Sequence, residues 1–341
     1  MNTIILWCVI LRRKPKNLEI HKNSFADHGR LGMTVKVLLM DSIIKQFDYD
    51  YNGFENILKV LSNEFPFLKV GNIGKTVLGR DIKMLRLGKG ADYILYTAAI
   101  HGSERLTAYI LLRFIYELCD AVKNGKKVSD IDAQKILYGK GILFVPMCNP
   151  DGCEIALKGP VKAGCGERSG YLYKLCGGDF SHWKANARGV DLNHNFDAGW
   201  EKLHALEREK GIVGPSSTRF GGLKPNSEPE TVALTTLCQK VNIRHLLCFH
   251  SQGEVIYWDY NNINTHRGHK MAEIFAASSG YSLDVPHGLS SGGGFKDWFI
   301  ETFRRPGFTI ELGKGKNPLP VTDGDKIYEK VKEMLMLGLL M

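Results

Sequence analysis

The sequence predicts an α/β protein with a largely buried sheet. Short runs rich in β-forming residues, such as 93–99 and 141–147, alternate with longer apolar segments such as 106–122. Continuous apolar runs of this length are typical of strands covered on both faces, and their alternation with helices is typical of α/β sheets. The hydrophobic content of 44% over 341 residues is enough for a large core.

The individual elements are predicted from apolar periodicity and from capping and turn signals. The glycine-rich segment 153–187 has few periodic apolar residues and predicts a long irregular loop, a kind of segment that is usually functional. In chain order we expect helix 49–65, a β-hairpin over 68–87, strand 93–99, helix 106–122, strand 141–147, helix 229–241, strand 246–249, helix 270–279, strand 307–310 and helix 325–339.

Charge and composition exclude several classes of function. The net charge is +9, but residues 1–45 alone hold eight Lys/Arg and three Asp/Glu, so the remainder carries no basic stripe for nucleic acid. No apolar run approaches the roughly 20 residues of a membrane span. The eight cysteines include no C-x-x-C pair and are expected to be reduced thiols.

The N-terminal segment 1–45 is expected to be a poorly ordered extension. Its basic cluster follows a short apolar run, whereas in a secretory signal the basic residues come first. We therefore expect Met33 to be the true start and the protein to be cytoplasmic. A chain that begins at Met33 should be as stable and active as the full chain.

Polar side chains follow three of the predicted strands. His101 and Glu104 come after the run that begins at Ile94, His250 ends the run HLLCFH, and Glu311 follows GFTI. Open α/β sheets place their sites at such strand ends, and imidazole and carboxylate are ligands that zinc accepts.

The three strand ends together predict a catalytic zinc site. His101, Glu104 and His250 would hold one Zn²⁺ per chain and leave a fourth position for water. Glu311 would be the general base that removes a proton from that water. A His-x-x-Glu pair alone would more often be a capped helix start, so the prediction depends on all three strand ends together.

Further motifs carry a family resemblance. Together with the strand-end residues, the segments 149–152 (NPDG) and 189–196 (GVDLNHNF) resemble the zinc carboxypeptidases of peptidase family M14 over roughly 290 residues. The resemblance implies a mixed sheet of about eight strands with helices on both faces, and one catalytic domain over 46–341. It also implies that Asp191 orients His101, as metal-bound imidazoles commonly require.

The chain departs from the family where substrate is bound. Typical members read Asn-Arg-Asn where this chain has Asn193, His194 and Asn195, and a histidine cannot replace the bidentate grip of that arginine on a terminal carboxylate. The resemblance nevertheless assigns Asn193 and His194 to substrate binding. It places Lys296 at the position that sets side-chain specificity, where a cation implies an acidic group on the substrate. Two simpler alternatives are a solvent-exposed Lys296 and a core His194.

The family's arginine that polarises the scissile carbonyl has no clear counterpart in this sequence. The segment reads KANARG over 184–189, and it offers two cations. We favour Arg188 for this role and keep Lys184 as the alternative.

Within the family, segments 219–231, 251–260 and 292–313 are similar to bacterial γ-D-glutamyl-meso-diaminopimelate peptidases. The resemblance implies a bacterial zinc metallopeptidase that hydrolyses the γ-D-glutamyl-diamino acid bond of peptidoglycan stem peptides, a substrate with carboxylates on both sides of the bond. Two alternatives stay open: an ordinary metallocarboxypeptidase that releases C-terminal residues, and a non-catalytic protein that binds peptidoglycan peptides. The sequence does not indicate an oligomeric state.

Overall fold

The computed structural model describes residues 50–263 and 266–341. The predicted N-terminal extension, including Met33, lies outside these residues. None of the helices in the described ranges combines the length and apolarity needed to cross a bilayer.

An eight-stranded mixed sheet forms the centre of the molecule. Its four central strands are parallel to one another. On one side two strands follow, each antiparallel to its neighbour. On the other side one antiparallel strand is followed by an edge strand that runs parallel to it. The strands are β1 (Lys69–Lys75), β2 (Asp81–Gly88), β3 (Asp92–Ala98), β4 (Lys127–Val128), β5 (Ile131–Asp132), β6 (Lys140–Val145), β7 (Ile243–His250), β8 (Val255–Tyr257), β9 (Ser282–Asp284) and β10 (Gly307–Glu311). The order is β1-β2-β6-β3-β7-β10-β8-β9, and β4 pairs separately with β5.

Ten α-helices lie within the described residues. Most follow a strand directly, as the alternating apolar pattern predicts. They are α1 (Tyr51–Glu64), α2 (Leu106–Asn124), α3 (Ala133–Ile136), α4 (Pro150–Lys162), α5 (Ser169–Cys176), α6 (Trp200–Glu209), α7 (Pro229–Lys240), α8 (His266–Ser279), α9 (Phe295–Phe303) and α10 (Gly324–Leu340).

Helices cover both faces of the sheet because successive residues of a strand point to opposite sides. In β3, Leu95 packs in a core with Leu234 of α7 and Phe299 of α9. The next residue, Tyr96, stacks on Phe114 of α2 on the other face, and its hydroxyl donates to a backbone carbonyl of α10. The mixed α/β architecture expected from the sequence is therefore confirmed.

The segment 153–187 is less irregular than predicted. It contains most of α4 and all of α5, so the expectation of one long loop was wrong. Gly159, at φ 76°, and Pro160 interrupt α4 and break the apolar periodicity on which the prediction depended. Helix α6 and the three-residue strands β8 and β9 were not predicted. Strands this short give little periodic pattern.

The register of the parallel strands brings the predicted polar residues to one edge of the sheet. Ala98, the last residue of β3, lies opposite Phe249 of β7. The next residue of β7, His250, lies opposite Glu311 of β10. The turn after β3 and the last residues of β7 and β10 therefore lie side by side.

Candidate metal centre and active site

Three side chains converge beyond the ends of β3 and β7. One ligand atom from each of His101, Glu104 and His250 lies within 4.8 Å of the others, and all three residues are buried. Glu104 lies between the two imidazoles: its Oε1 is 2.9 Å from His101 Nδ1 and its Oε2 is 3.4 Å from His250 Nδ1. Two imidazoles and a carboxylate at these distances could hold one metal ion.

A carboxylate fixes the orientation of His101. Its Nε2 donates to Asp191 Oδ1 at 3.2 Å, which leaves Nδ1 facing Glu104. Asp191 is itself held by the backbone N–H of Arg219 at 2.8 Å and of Asn193 at 3.2 Å. A hydrogen bond of this kind sets the ring orientation and tautomer of a metal-binding histidine.

His101 and Glu104 stabilise charge on one another, whereas His250 does not gain charge. Burial alone would lower the pKa of His101, but the Glu104 and Asp191 carboxylates together outweigh it and raise that pKa to about 9. Burial opposes the ionised form of Glu104 as well, yet His101 and Lys184 hold its pKa well below the usual range. The pKa of His250 is lowered, chiefly by burial. The Glu104 and Asp191 carboxylates therefore favour positive charge at this point, which a divalent cation bound by the neutral imidazoles would supply.

Glu311 ends β10 beside this cluster and lines the same cleft. Burial, and then the nearby Glu104 carboxylate, raise the pKa of Glu311 to about 8. It is the kind of perturbed carboxylate that exchanges protons near neutral pH.

The structure brings Lys184, and not Arg188, to the cleft. Lys184 Nζ lies 2.8 Å from Glu104 Oε1, and this carboxylate raises the lysine's pKa against the effect of burial. Arg188 is absent from the cleft lining; it is half-exposed, and its guanidinium lies 3.4 Å from Glu228. The sequence alternative Lys184 therefore has the geometry that was expected of Arg188.

Asn193 and His194 occupy a short 3₁₀ turn over Leu192–His194, and both line the cleft. Asn193 Oδ1 accepts the backbone N–H of Phe295 at 3.0 Å. His194 Nδ1 is held by Glu207 Oε1 of α6 at 2.8 Å. His194 thus binds a buried carboxylate at the position where typical family members have arginine.

Lys296 lines the cleft but is buried, with 4% of its surface exposed. Its Nζ donates to the backbone carbonyl of Asp259 at 2.7 Å and forms an ion pair with the neighbouring Asp297. The positive charge that the sequence assigned to substrate recognition therefore already has an internal carboxylate partner.

Sequence reasoning missed one cation of the cleft. Arg219 lines the same space, which amounts to about 200 Å³, together with Thr218. Arg219 begins segment 219–231, which is similar to family members, but nothing in the sequence indicated that this segment lies near the strand ends. The link is a long-range hydrogen bond to Asp191, which the sequence does not reveal.

Comparison with known proteins identifies the family. The model of the zinc carboxypeptidases, peptidase family M14, matches residues 54–336. The chain belongs to the zinc carboxypeptidase family. It is therefore a zinc-dependent metallopeptidase, as the sequence predicted.

Two relatives of this zinc carboxypeptidase chain are bacterial. It is 35% identical over 294 residues to gamma-D-glutamyl-L-diamino acid endopeptidase 1 of Lysinibacillus sphaericus, covering 86% of this chain and 73% of the relative. It is 32% identical over 342 residues to YqgT of Bacillus subtilis, covering 98% and 88% of the two chains.

Solved structures of zinc carboxypeptidases share the fold. Bovine thrombin-activatable fibrinolysis inhibitor, in complex with tick carboxypeptidase inhibitor, superposes with a TM-score of 0.65 at 18% identity, over 87% of this chain and 97% of that chain. Carboxypeptidase A of Helicoverpa armigera gives a TM-score of 0.63 at 20% identity, over 90% and 80% of the two chains. At these identities the likeness concerns the fold alone.

Proposed function

We propose that this zinc metallopeptidase hydrolyses the γ-D-glutamyl-diamino acid bond of peptidoglycan stem peptides. The observation that carries the proposal is the His101–Glu104–His250 cluster with Glu311 on the adjacent strand end. The substrate class is supported by the 35% identity to a gamma-D-glutamyl-L-diamino acid endopeptidase.

We assign the metal to His101, Glu104 and His250, one Zn²⁺ per chain. The donor set fits zinc, since two imidazole nitrogens and one carboxylate are a common catalytic combination that leaves a position open. Asp191 orients His101 through Nε2 and keeps Nδ1 available. Zinc, when bound, lowers the pKa of a water molecule and polarises a carbonyl group.

Glu311 acts as the general base and then as the general acid. It takes a proton from the attacking water and delivers it to the leaving amine of the diamino acid. The pKa of about 8 describes the metal-free protein; a cation at the neighbouring cluster would lower it and favour the carboxylate that a base requires.

Lys184 takes the role that the sequence assigned first to Arg188. Its ammonium lies beside Glu104, close enough to the reacting centre to donate a hydrogen bond to the oxygen of the scissile carbonyl as negative charge develops there. Arg188 lies outside the cleft lining and is paired with Glu228.

The fixed position of His194 favours this substrate over a simple C-terminal residue. A metallocarboxypeptidase grips the terminal carboxylate with a bidentate arginine, and here the corresponding imidazole is bound to Glu207. A γ-linked glutamyl residue instead presents its free α-carboxylate on the acyl side of the bond.

A mass-spectrometric assay on L-Ala-γ-D-Glu-diaminopimelate tests the proposal. Zinc-loaded protein should release diaminopimelate and L-Ala-D-Glu. The Glu311→Gln variant should form these products about 10²–10⁴-fold more slowly, and a matched peptide with an α-linked glutamyl bond should give no product. Release of only the terminal residue from a tetrapeptide would indicate an ordinary metallocarboxypeptidase. Binding without turnover would indicate a non-catalytic peptide-binding protein.

The metal assignment has its own test. Purified protein should contain about one zinc per chain, and His250→Ala should lose most of it because a two-ligand site binds weakly. Full zinc retention in a His101→Ala/His250→Ala double variant would refute the assignment.

A further inference from the structure

Of the lysine and arginine side chains that the structure describes in the cleft lining, one has no carboxylate partner. Lys184 lies 2.8 Å from Glu104, and Lys296 is paired with Asp297. Arg219 lines the same cleft, and its guanidinium forms no ion pair or hydrogen bond with any residue that the structure describes.

The backbone of Arg219 is held in a conformation that arginine does not favour. Its φ of 66° lies in the left-handed region, where a side chain costs roughly 1 kcal/mol that glycine would not. The N–H of Arg219 donates to Asp191 Oδ2 at 2.8 Å, and the other oxygen of Asp191 accepts from His101. The arginine is therefore anchored two hydrogen bonds from the candidate metal centre.

We propose that Arg219 binds a free carboxylate of the substrate and so determines specificity. The inference extends the function proposed above. A guanidinium matches a carboxylate through two parallel hydrogen bonds. His194, at the position of the usual carboxylate-binding arginine, is bound to Glu207 and cannot provide that geometry. Arg219 supplies this pair of parallel hydrogen bonds from a different loop.

The proposed tripeptide substrate has three free carboxylates with the right chemistry. One is the α-carboxylate of the γ-linked glutamyl residue, and the other two belong to diaminopimelate. Amidating each in turn distinguishes them.

Peptide binding to metal-free protein, measured by titration calorimetry, tests the inference without turnover. The probe is L-Ala-γ-D-Glu-diaminopimelate, with its glutamyl α-amide and its diaminopimelate amides as analogues. Arg219→Gln should bind the free acid about 10- to 100-fold more weakly than the wild-type protein does, as expected for lost charged hydrogen bonds. The wild type should show a similar loss for one of the analogues, and the variant should not discriminate against that analogue.

Two further variants separate recognition from structure. Arg219→Gly suits the left-handed backbone and should show the same loss of affinity with an unchanged melting temperature. Arg208→Gln removes an exposed arginine of α6 that is not part of the cleft lining, and it should bind like the wild type.

A second probe separates failure of the inference from failure of the proposed function. N-acetyl-alanyl-alanine and its C-terminal amide carry or lack a single carboxylate. If the wild type binds only the N-acetyl-alanyl-alanine acid and Arg219→Gln loses that binding, the cell-wall substrate is wrong but the role of Arg219 stands. If Arg219→Gln binds every carboxylate peptide as tightly as the wild type, or if the wild type binds none of the peptides, the inference is overturned.

Discussion

The two walls of the cleft are built in different ways. One wall consists of strand ends, with His101, His250 and Glu311 placed by the register of β3, β7 and β10. The other, here called the loop wall, consists of loops and the first turn of α9, and it is held by hydrogen bonds between distant segments. Lys184 N donates to Ser217 O, and Asp191 N donates to Phe220 O, at 2.9 and 2.8 Å.

This difference separates two tasks: the strand wall provides the groups for hydrolysis, and the loop wall provides the groups that select the substrate. Parallel strands cannot slip by one residue without turning every side chain to the opposite face of the sheet, so groups at their ends keep their mutual distances. A loop wall can exchange its side chains while the strand wall is unchanged. In this protein the loop wall carries the departures from the family, at His194, Lys296 and the segment 184–188.

The largest expected effect comes from the strand wall. Glu311→Gln keeps the size of the side chain but removes the proton acceptor, so kcat should fall about 10²–10⁴-fold. Zinc content, measured by elemental analysis, should stay at the wild-type level. A variant with near-normal kcat would place the general base elsewhere.

The next effect compares the two lysines of the cleft. Lys184→Met should lower kcat by about 10²–10³-fold, because a donor to the developing oxyanion is lost. Lys296→Met should change kcat much less, since that ammonium is already paired with Asp297.

A comparison of Lys296→Met with Arg219→Gln tests the original specificity prediction for Lys296. If Lys296→Met loses the preference for a free-acid peptide over its amide while Arg219→Gln keeps it, then Lys296 and not Arg219 reads the substrate carboxylate. Steady-state kinetics on both peptides distinguish these outcomes.

Asp191 joins the two walls, and its replacement should weaken metal binding. Asp191→Asn retains the size of the side chain but removes the charge that orients His101 Nε2, so zinc affinity should drop about 10- to 100-fold. Competition with a chelator of known affinity measures this change. An unchanged affinity would mean that Glu104 alone fixes His101.

The smallest effect concerns the support of the loop wall. Glu230 is fully buried, and its Oε2 accepts from Asn186 of the loop wall at 3.3 Å. Burial raises its pKa from 4.5 to about 7. The folded protein therefore binds a proton more tightly than the unfolded chain, and this group lowers stability as pH rises from about 4.5 to about 7.

Glu230→Gln removes that titration. The fall in unfolding free energy between pH 5 and pH 8 should be smaller in the variant than in the wild type, by about 1–2 kcal/mol. Denaturant unfolding of metal-free protein at both pH values measures it. Gln has a single amide oxygen and therefore loses one of the hydrogen bonds that Glu230 accepts, which lowers stability at both pH values. For this reason the quantity compared is the change in unfolding free energy between the two pH values. Equal pH dependence in the two proteins would show that Glu230 is ionised throughout.

The strand wall could be predicted from the sequence because its signals are local. Each apolar run ends directly in a polar residue, and parallel packing brings the ends together whatever the loops do. The structure places His101, Glu104, His250 and Glu311 side by side, as expected from the strand ends.

The loop wall could be predicted only in part, because its partners lie far apart in the sequence. Nothing in the local pattern around Lys296 shows that Asp297 pairs with its ammonium, since both lie in the first turn of α9. The choice between Lys184 and Arg188 depends on the path of residues 184–190 between Ser217 and Glu228. Arg219 was missed for the same reason.

A close junction of backbones lies behind the metal centre. Gly102 N donates to Lys184 O at 3.1 Å, and a Cβ on Gly102 would collide with the backbone carbonyl of Gly152. The side chain of Asn149 completes the junction by donating to Ile100 O at 3.1 Å. The turn that carries His101 is thus held by backbone and side-chain contacts that do not involve the three candidate metal ligands. Binding of a metal ion would then need no refolding of this turn. The protein could therefore lose and regain its ion repeatedly, and its metal content would follow the concentration of that ion around it.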